Sequence, residues 1–264
     1  AAGLSFPGNA GMERSACPSG CRPVTVTPWR IGLQSARANL VPGIVLQSAA
    51  LAVAVAYYAA PGFHAILEKL SGWQVRYGIG FSIVMRMVTN GLIPSLFCAM
   101  IPGLRLRRPW RSLAFLVIWW GVMGALTHAF YAFQAWLWGA EAGVRTVLLK
   151  TATDMLVYSP FLASPINAIA HLWQDLNCSW RATRLQLGPG WYRRIVLPNQ
   201  VPGWAFWAPS VMILYSLPVP LQMPMAALLG CFWALMCLQI ALRTPAPLNE
   251  RAPGPDAGKT EGRS

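Results

Sequence analysis

Long apolar runs separated by short polar connections are the feature that most constrains this chain. Residues 41–60, for example, read VPGIVLQSAALAVAVAYYAA and carry no charge. A helix needs about 20 apolar residues to cross a hydrocarbon core roughly 30 Å thick. Only 11% of the 264 residues are charged and 55% are hydrophobic, so a soluble fold would have too little polar surface to cover itself. The sequence therefore predicts helices that lie in a lipid bilayer.

Six apolar segments can be drawn along the chain. They cover approximately residues 41–60, 77–104, 112–138, 144–173, 203–218 and 223–242. The predicted fold class is all-α, a polytopic transmembrane helix bundle with about six spans. The fifth segment is short and contains Pro209, so a re-entrant or tilted piece is the alternative to a span there.

Three regions follow from this map. Residues 1–40 form a flexible, basic N-terminal tail that lacks the apolar core of a secretory signal, and Met12 is an alternative start. Residues 41–243 form the transmembrane helical domain. Residues 244–264 are rich in Pro and Gly and nearly free of large apolar side chains, which predicts a disordered tail.

The basic residues predict an orientation. The formal net charge is +13, and most of it sits in clusters before, between and after the apolar segments. The clusters are Arg14, Arg22, Arg30 and Arg37, then Arg105, Arg107, Arg108 and Arg111, then Arg181, Arg184, Arg193 and Arg194, then Arg243. If every segment spans, all of these clusters fall on one face, here called the basic face.

By the positive-inside rule, both termini then lie in the cytoplasm or the matrix. The expected location is a bacterial inner membrane or an organellar membrane, either mitochondrial inner or peroxisomal. The lipid bilayer is the expected partner, with anionic lipid on the basic face. Nucleic acid is not expected as a partner, because the positive charge is divided among loops.

Polar residues inside the apolar segments are the candidates for function. They are Arg86, Asn90, His128, Tyr131, Lys150, Asp154 and Asn167. A charge at bilayer depth costs at least a few kcal/mol, so these side chains should face the bundle interior. We expect Asp154 to pair with Lys150 on its own helix and with Arg86 across the bundle. Two interpretations stay open, a polar path through the centre and a structural network that holds helices together.

The sequence contains no motif for covalent, metal or cofactor chemistry. There is no HExxH pair, GxSxG, P-loop or dinucleotide fingerprint, and Cys17 and Cys21 do not have the spacing of a zinc or redox pair. We therefore predict no catalytic, metal or cofactor site and no enzymatic activity. An intramembrane enzyme acting on lipid is the least favoured class, because no pair of acidic residues accompanies the apolar segments.

Two blocks of the chain carry a family pattern. The first has Gly124, His128, Phe130-Tyr131, Lys150, Asp154 and Pro160, and the second has Trp204, Trp207, Pro209, Pro218 and Trp233. In this order and spacing the chain resembles the Mpv17/PMP22 family of peroxisomal and mitochondrial membrane proteins. Met155 and Gln222 depart from the pattern, which has Gln and Arg there. The family has four spans, so between four and six are expected.

The resemblance implies a function. It predicts an integral membrane protein that is a small-solute channel or a membrane-homeostasis factor, with the intramembrane polar residues along the path. The alternative is a non-transporting scaffold that binds lipid or a protein partner. A homo-oligomer is compatible with both.

Overall fold

The regular structure is helical throughout the described part of the chain. The computed structural model describes residue 37, residues 40–101 and residues 109–243. Seven helices lie in these ranges: α1 (Leu40–Ala59), α2 (Pro61–Met100), α3 (Pro109–Trp138), α4 (Val144–Asp175), α5 (Trp180–Gln186), α6 (Leu197–Tyr215) and α7 (Val219–Arg243). The all-α prediction is confirmed for these residues. The two predicted tails, apart from residues 37 and 40, and the arginines at 105, 107 and 108 lie outside them.

Three of the described helices, α2, α3 and α4, are long and apolar enough to cross a membrane. The helices α1 and α7 are also apolar, with 20 and 25 residues. The short fifth segment is longer than the sequence predicted, because α6 begins at Leu197 and has 19 residues. Helix ends otherwise agree with the predicted segments within a few residues, except in α2.

The first half of α2 corrects the sequence prediction. The stretch before residue 77 was expected to connect two segments, but it is helical from Pro61 onward. Its inward face carries Ser71 and Gln74, which are buried, whereas Lys69 and Arg76 are exposed. This stretch is amphipathic, so a search for continuous apolar runs does not detect it.

Gly78 divides α2 into two helices. Its backbone has φ 51° and ψ −125°, a conformation that side-chain-bearing residues rarely adopt. The carbonyl of Gly78 accepts a hydrogen bond from Gln74 Nε2 at 3.0 Å. Ser82 Oγ, one turn further on, lies 2.9 Å from His128 Nδ1 of α3. These contacts fix the break and hold it against α3.

Glycines set the close approach of α2 and α3. A Cβ on Gly124 would lie 2.8 Å from the carbonyl oxygen of Ser82 and 3.0 Å from Cβ of Arg86. A Cβ on Gly91 would lie 2.8 Å from Cα of Val117. Small residues at such crossings let helix backbones pack closely, which supports association between apolar helices.

A π-helical turn, Tyr192–Val196, leads directly into α6, and the two together are called the α6 region. Two hydrogen bonds to carbonyls of α4 that prolines leave without their helical donor hold this region against α4. Residues Asp154–Ala163 of α4 form a π-helical segment, in which each carbonyl accepts from the residue five positions later. At that spacing the carbonyl of Met155 would accept from residue 160, and the carbonyl of Pro160 would accept from residue 165. Both of these residues are prolines, which have no N–H, so neither bond can form. Trp204 Nε1 donates to Met155 O at 2.9 Å, and Tyr192 Oη donates to Pro160 O at 2.9 Å.

The contact at Gly124 is testable by adding one methyl group. We expect Gly124→Ala to lower the free energy of unfolding by about 1–3 kcal/mol, because a tightly packed site has to shift. The matched control is Gly80→Ala in α2, where a Cβ meets nothing within 4 Å. Thermal unfolding of both variants in detergent, followed by circular dichroism, gives the comparison. Equal changes in the two variants would contradict the assigned contact.

Candidate functional site: a polar cavity among five helices

A cavity of about 220 Å³ lies among α2, α3, α4, α6 and α7. Five of the seven predicted polar residues line it: Arg86, Asn90, Tyr131, Asp154 and Asn167. The structure thus brings together residues from three different helices that the sequence only placed in apolar segments. The cavity is larger than the roughly 150 Å³ that holds benzene in an engineered protein core.

The cavity is elongated along the bundle. On α4 its lining runs from Asp154 to Ala168, which at 1.5 Å per residue is roughly 20 Å of helix. The antiparallel α6 region lines it from Val211 back to Ile195. Ile195 directly follows Arg193 and Arg194, so one end of the cavity lies near these two arginines and the other end lies at Asp154.

Asp154 is 6% exposed and accepts a hydrogen bond from Tyr215 Oη at 2.6 Å. Tyr215 Oη in turn accepts from Gln134 Nε2 at 2.8 Å. These two hydrogen bonds join α4, α6 and α3 through side chains that are all buried. A hydrogen bond to an ionised group is stronger than one between neutral groups, so the chain fixes the carboxylate in place.

The expected ion pairs of Asp154 do not form. Neither Lys150 nor Arg86 has a nitrogen within 4.0 Å of the Asp154 carboxylate. The physical reason is Tyr215, whose hydroxyl binds Asp154 while its ring lies 6.0 Å from Lys150 Nζ. The ring of Tyr215 therefore lies beside the Lys150 ammonium group, where the sequence predicted the Asp154 carboxylate.

Arg86 is 6% exposed, and its guanidinium makes no hydrogen bond to the described part of the chain. Two acceptors of residues that line the same cavity, Asn90 Oδ1 and Gln200 Oε1, are also buried without a partner among the described residues. Asn90 is nevertheless held firmly, since its Nδ2 donates to Ala227 O at 3.1 Å. The cavity therefore presents a cation and two acceptors whose hydrogen-bonding capacity the protein does not use.

Both charged residues of the cavity lie at the start of a π-helical segment. Arg86 immediately precedes Met87–Leu92, and Asp154 is the first residue of Asp154–Ala163. Prolines explain both segments, because Pro94 follows the first and Pro160 lies within the second. Such π-bulges occur frequently at functional sites, since they turn side chains away from the regular helical positions.

Two predicted residues lie elsewhere. His128 does not line the cavity and contacts Ser82 and Gln74 beside the break at Gly78. Lys150 is 1% exposed and lies beside the ring of Tyr215. Both side chains contact other residues of the bundle, and neither lines the cavity.

The residues of the family pattern are divided between packing and the cavity. Trp207 and Trp233 line the cavity, and the ring of Trp233 lies 4.5 Å from that of Phe206. Pro209 lies within α6, and the carbonyl of Pro218 accepts from the backbone N–H of Leu221 at 2.9 Å. Gly124, Pro160 and Trp204 form the interhelical contacts described above.

Sequence reasoning did not include several residues of this site. They are Thr127, Tyr158 and Gln200. Tyr158 lies four residues after Asp154, so helical spacing alone would have placed it on the same face. Gln200 was assigned to a connection, and no local pattern relates Tyr215 to Asp154, which is 61 residues earlier.

The cavity has a defined chemical capacity. It holds one cationic and one anionic side chain at the same end, together with amide and hydroxyl groups along its length. Such a cavity suits binding of a small polar solute, because a few placed polar groups fix orientation while apolar walls exclude water.

Comparison of the chain with models of protein families, with curated proteins and with solved structures gives no match. The resemblance to the Mpv17/PMP22 family therefore stays a prediction.

The Asp154–Tyr215 contact gives a direct prediction. Tyr215→Phe removes the donor to Asp154 and the acceptor for Gln134, so we expect a loss of about 1–3 kcal/mol in the free energy of unfolding. Tyr58→Phe is the control, since Tyr58 Oη also bonds a partner at 2.6 Å but the residue is 63% exposed. Thermal unfolding of the two variants is the measurement. A loss in Tyr58→Phe as large as in Tyr215→Phe would contradict a role for burial.

Proposed function

We propose that this chain is a polytopic membrane protein that takes a small polar solute into its central cavity and passes it across the bilayer. The observation that carries the proposal is the burial of Arg86 and Asp154 in one cavity without an ion pair between them. Intramembrane ionisable residues typically mark substrate or ion pathways.

The energetics favour a solute-binding role over a purely structural one for Arg86. A structural arginine in an apolar bundle is held by an acidic partner or by backbone carbonyls. The guanidinium of Arg86 has neither among the described residues. Its charge is instead directed at the cavity, where a polar solute offers the missing interactions.

We infer that a solute enters at the end of the cavity beside Arg193 and Arg194. Beyond Asp154, the bundle is closed by the Tyr215–Gln134 contact and by a buried apolar layer that includes Leu214 and Leu217, which are 0% and 1% exposed. Passage of a solute therefore requires a movement of this layer. The protein would operate as a gated path rather than as an open pore.

The resemblance to the Mpv17/PMP22 family supports the same proposal, because that family is linked to small-solute channels. The competing function is a non-transporting scaffold. The hydrogen bonds among Asp154, Tyr215 and Gln134 are compatible with it, but it gives no role to Arg86, which has no partner among the described residues.

We further propose six crossings with both termini on the basic face, in the cytoplasm or the matrix. The spans are α1, residues 79–100 of α2, then α3, α4, α6 and α7. The amphipathic first half of α2 lies along the opposite interface, with Trp73 and Tyr77 at headgroup level. With 40 residues, α2 is about twice as long as one crossing needs, and Gly78 divides it at a suitable point.

Labelling of introduced cysteines tests this topology. In a variant whose six native cysteines are replaced by alanine, Glu141→Cys and Ser216→Cys should react with a membrane-impermeant maleimide from one side. Gln186→Cys should react only from the other side, because α4 and α6 each cross once. Labelling of residues 186 and 216 from the same side would contradict a crossing by α6.

Solute flux tests the function. In proteoliposomes we expect the purified protein to carry small polar solutes faster than protein-free vesicles, measured by stopped-flow osmotic swelling. Gly203→Leu should bring the rate close to the protein-free value. Gly203 borders the cavity and an added Cβ meets nothing within 4 Å, so the larger side chain can fill the path without moving the backbone.

The matched control is Gly80→Leu, where a Cβ also meets nothing within 4 Å but the residue does not line the cavity. This variant should keep the wild-type rate. Folded protein that gives no flux above protein-free vesicles would overturn the transport proposal in favour of the scaffold.

A further inference from the structure

We propose that the cavity recognises a zwitterionic solute of amino-acid size, with Arg86 binding its anionic group and Asp154 its cationic group. This inference deepens the proposed function and rests on it, because it names the class of solute for the same cavity.

Arg86 and Asp154 interact electrostatically across the cavity, but they do not form an ion pair with each other. Arg86 projects from α2 and Asp154 from α4, both are 6% exposed, and no nitrogen of Arg86 comes within 4.0 Å of the Asp154 carboxylate. Each charge is buried at a cost that an opposite charge offsets. A solute carrying both signs can bind both side chains directly, whereas a solute of one sign binds only one of them.

The polar atoms near Arg86 and Asp154 agree with this orientation of the solute. A guanidinium binds a carboxylate or a similar planar anion through parallel N–H donors, and Arg86 Nε has no acceptor among the described residues. An ammonium group needs several acceptors, and the cavity offers Asp154 Oδ1, Asn90 Oδ1 and Gln200 Oε1. Arg86 on α2 and Asp154 on α4 therefore distinguish the two ends of the solute.

The rest of the cavity fits a modest apolar group. Trp120, Met123, Trp207 and Trp233 contribute apolar wall to the cavity. Its volume of about 220 Å³ exceeds what a six-carbon ring needs in an engineered cavity and is below the usual range for drug-sized ligands. A solute with about nine non-hydrogen atoms is of the right scale.

Leucine and two analogues that each lack one charge form the test. The analogues are 4-methylpentanoate, which lacks the amine, and 3-methylbutylamine, which lacks the carboxylate. The full chain in lipid nanodiscs is heated with increasing concentrations of each compound, and the shift in Tm reports binding to the folded state. We expect leucine to give the same shift at roughly tenfold lower concentration than either analogue, since each analogue leaves a buried charge unpaired.

Variants that remove one charge test which residue binds which end of the solute. With Arg86→Gln, leucine should lose its advantage over the amine, and with Asp154→Asn it should lose its advantage over the carboxylate. The controls are Arg76→Gln and Asp175→Asn, which change residues of the same types outside the cavity lining and should keep the wild-type order.

Equal shifts by leucine and either analogue in the wild-type protein would overturn the proposal, and this comparison needs no variant to fold. Unchanged preference for leucine in folded Arg86→Gln would also overturn it. Flux of polar solutes without a preference for leucine would refute this inference and leave the proposed transport intact. A preference for leucine without any flux would refute transport and leave the binding site.

Discussion

Arg86 and Asn90 lie in the space that glycines of two neighbouring helices leave for them. A Cβ on Gly124 of α3 would approach Cβ of Arg86 at 3.0 Å, and a Cβ on Gly230 of α7 would approach Arg86 Nη1 at 3.0 Å. Large polar side chains can enter an apolar bundle only where the facing helices have no side chain of their own. The position of the cavity depends on this steric constraint, because the same two glycines keep α3 and α7 close to α2 while the guanidinium remains between them.

The second constraint on the structure is that backbone carbonyls need hydrogen-bond partners. Within a bilayer each unpaired carbonyl costs several kcal/mol, so a proline in a spanning helix requires a donor from elsewhere. The donors for Met155 O and Pro160 O come from Trp204 and Tyr192. These bonds set the register of the α6 region against α4. On the same stretch of α4, Asp154 and Tyr158 both line the cavity.

The sequence predicted much of the cavity but not its internal contacts. Arg86, Asn90, Asp154 and Asn167 were identified because polar residues in apolar runs are conspicuous, and all four line the cavity. The pairing of Asp154 with Lys150 was wrong, although their spacing of four is ideal for a helix pair. Local spacing fixes which residues are neighbours on one helix, but the Asp154 partner is Tyr215, which only the packing of α6 on α4 brings within 2.6 Å.

Composition and apolar periodicity by themselves determined the all-helical class, the approximate limits of α1, α3, α4 and α7, and the set of buried polar candidates. They could do so because the number of apolar residues in a run and the cost of a buried charge are local properties of the chain. Tertiary structure alone decided the amphipathic helix before Gly78, the exclusion of His128 from the cavity and the separation of Arg86 from Asp154. Each of these depends on which helices touch and how closely, and that is set by glycine contacts and carbonyl partners far apart in sequence.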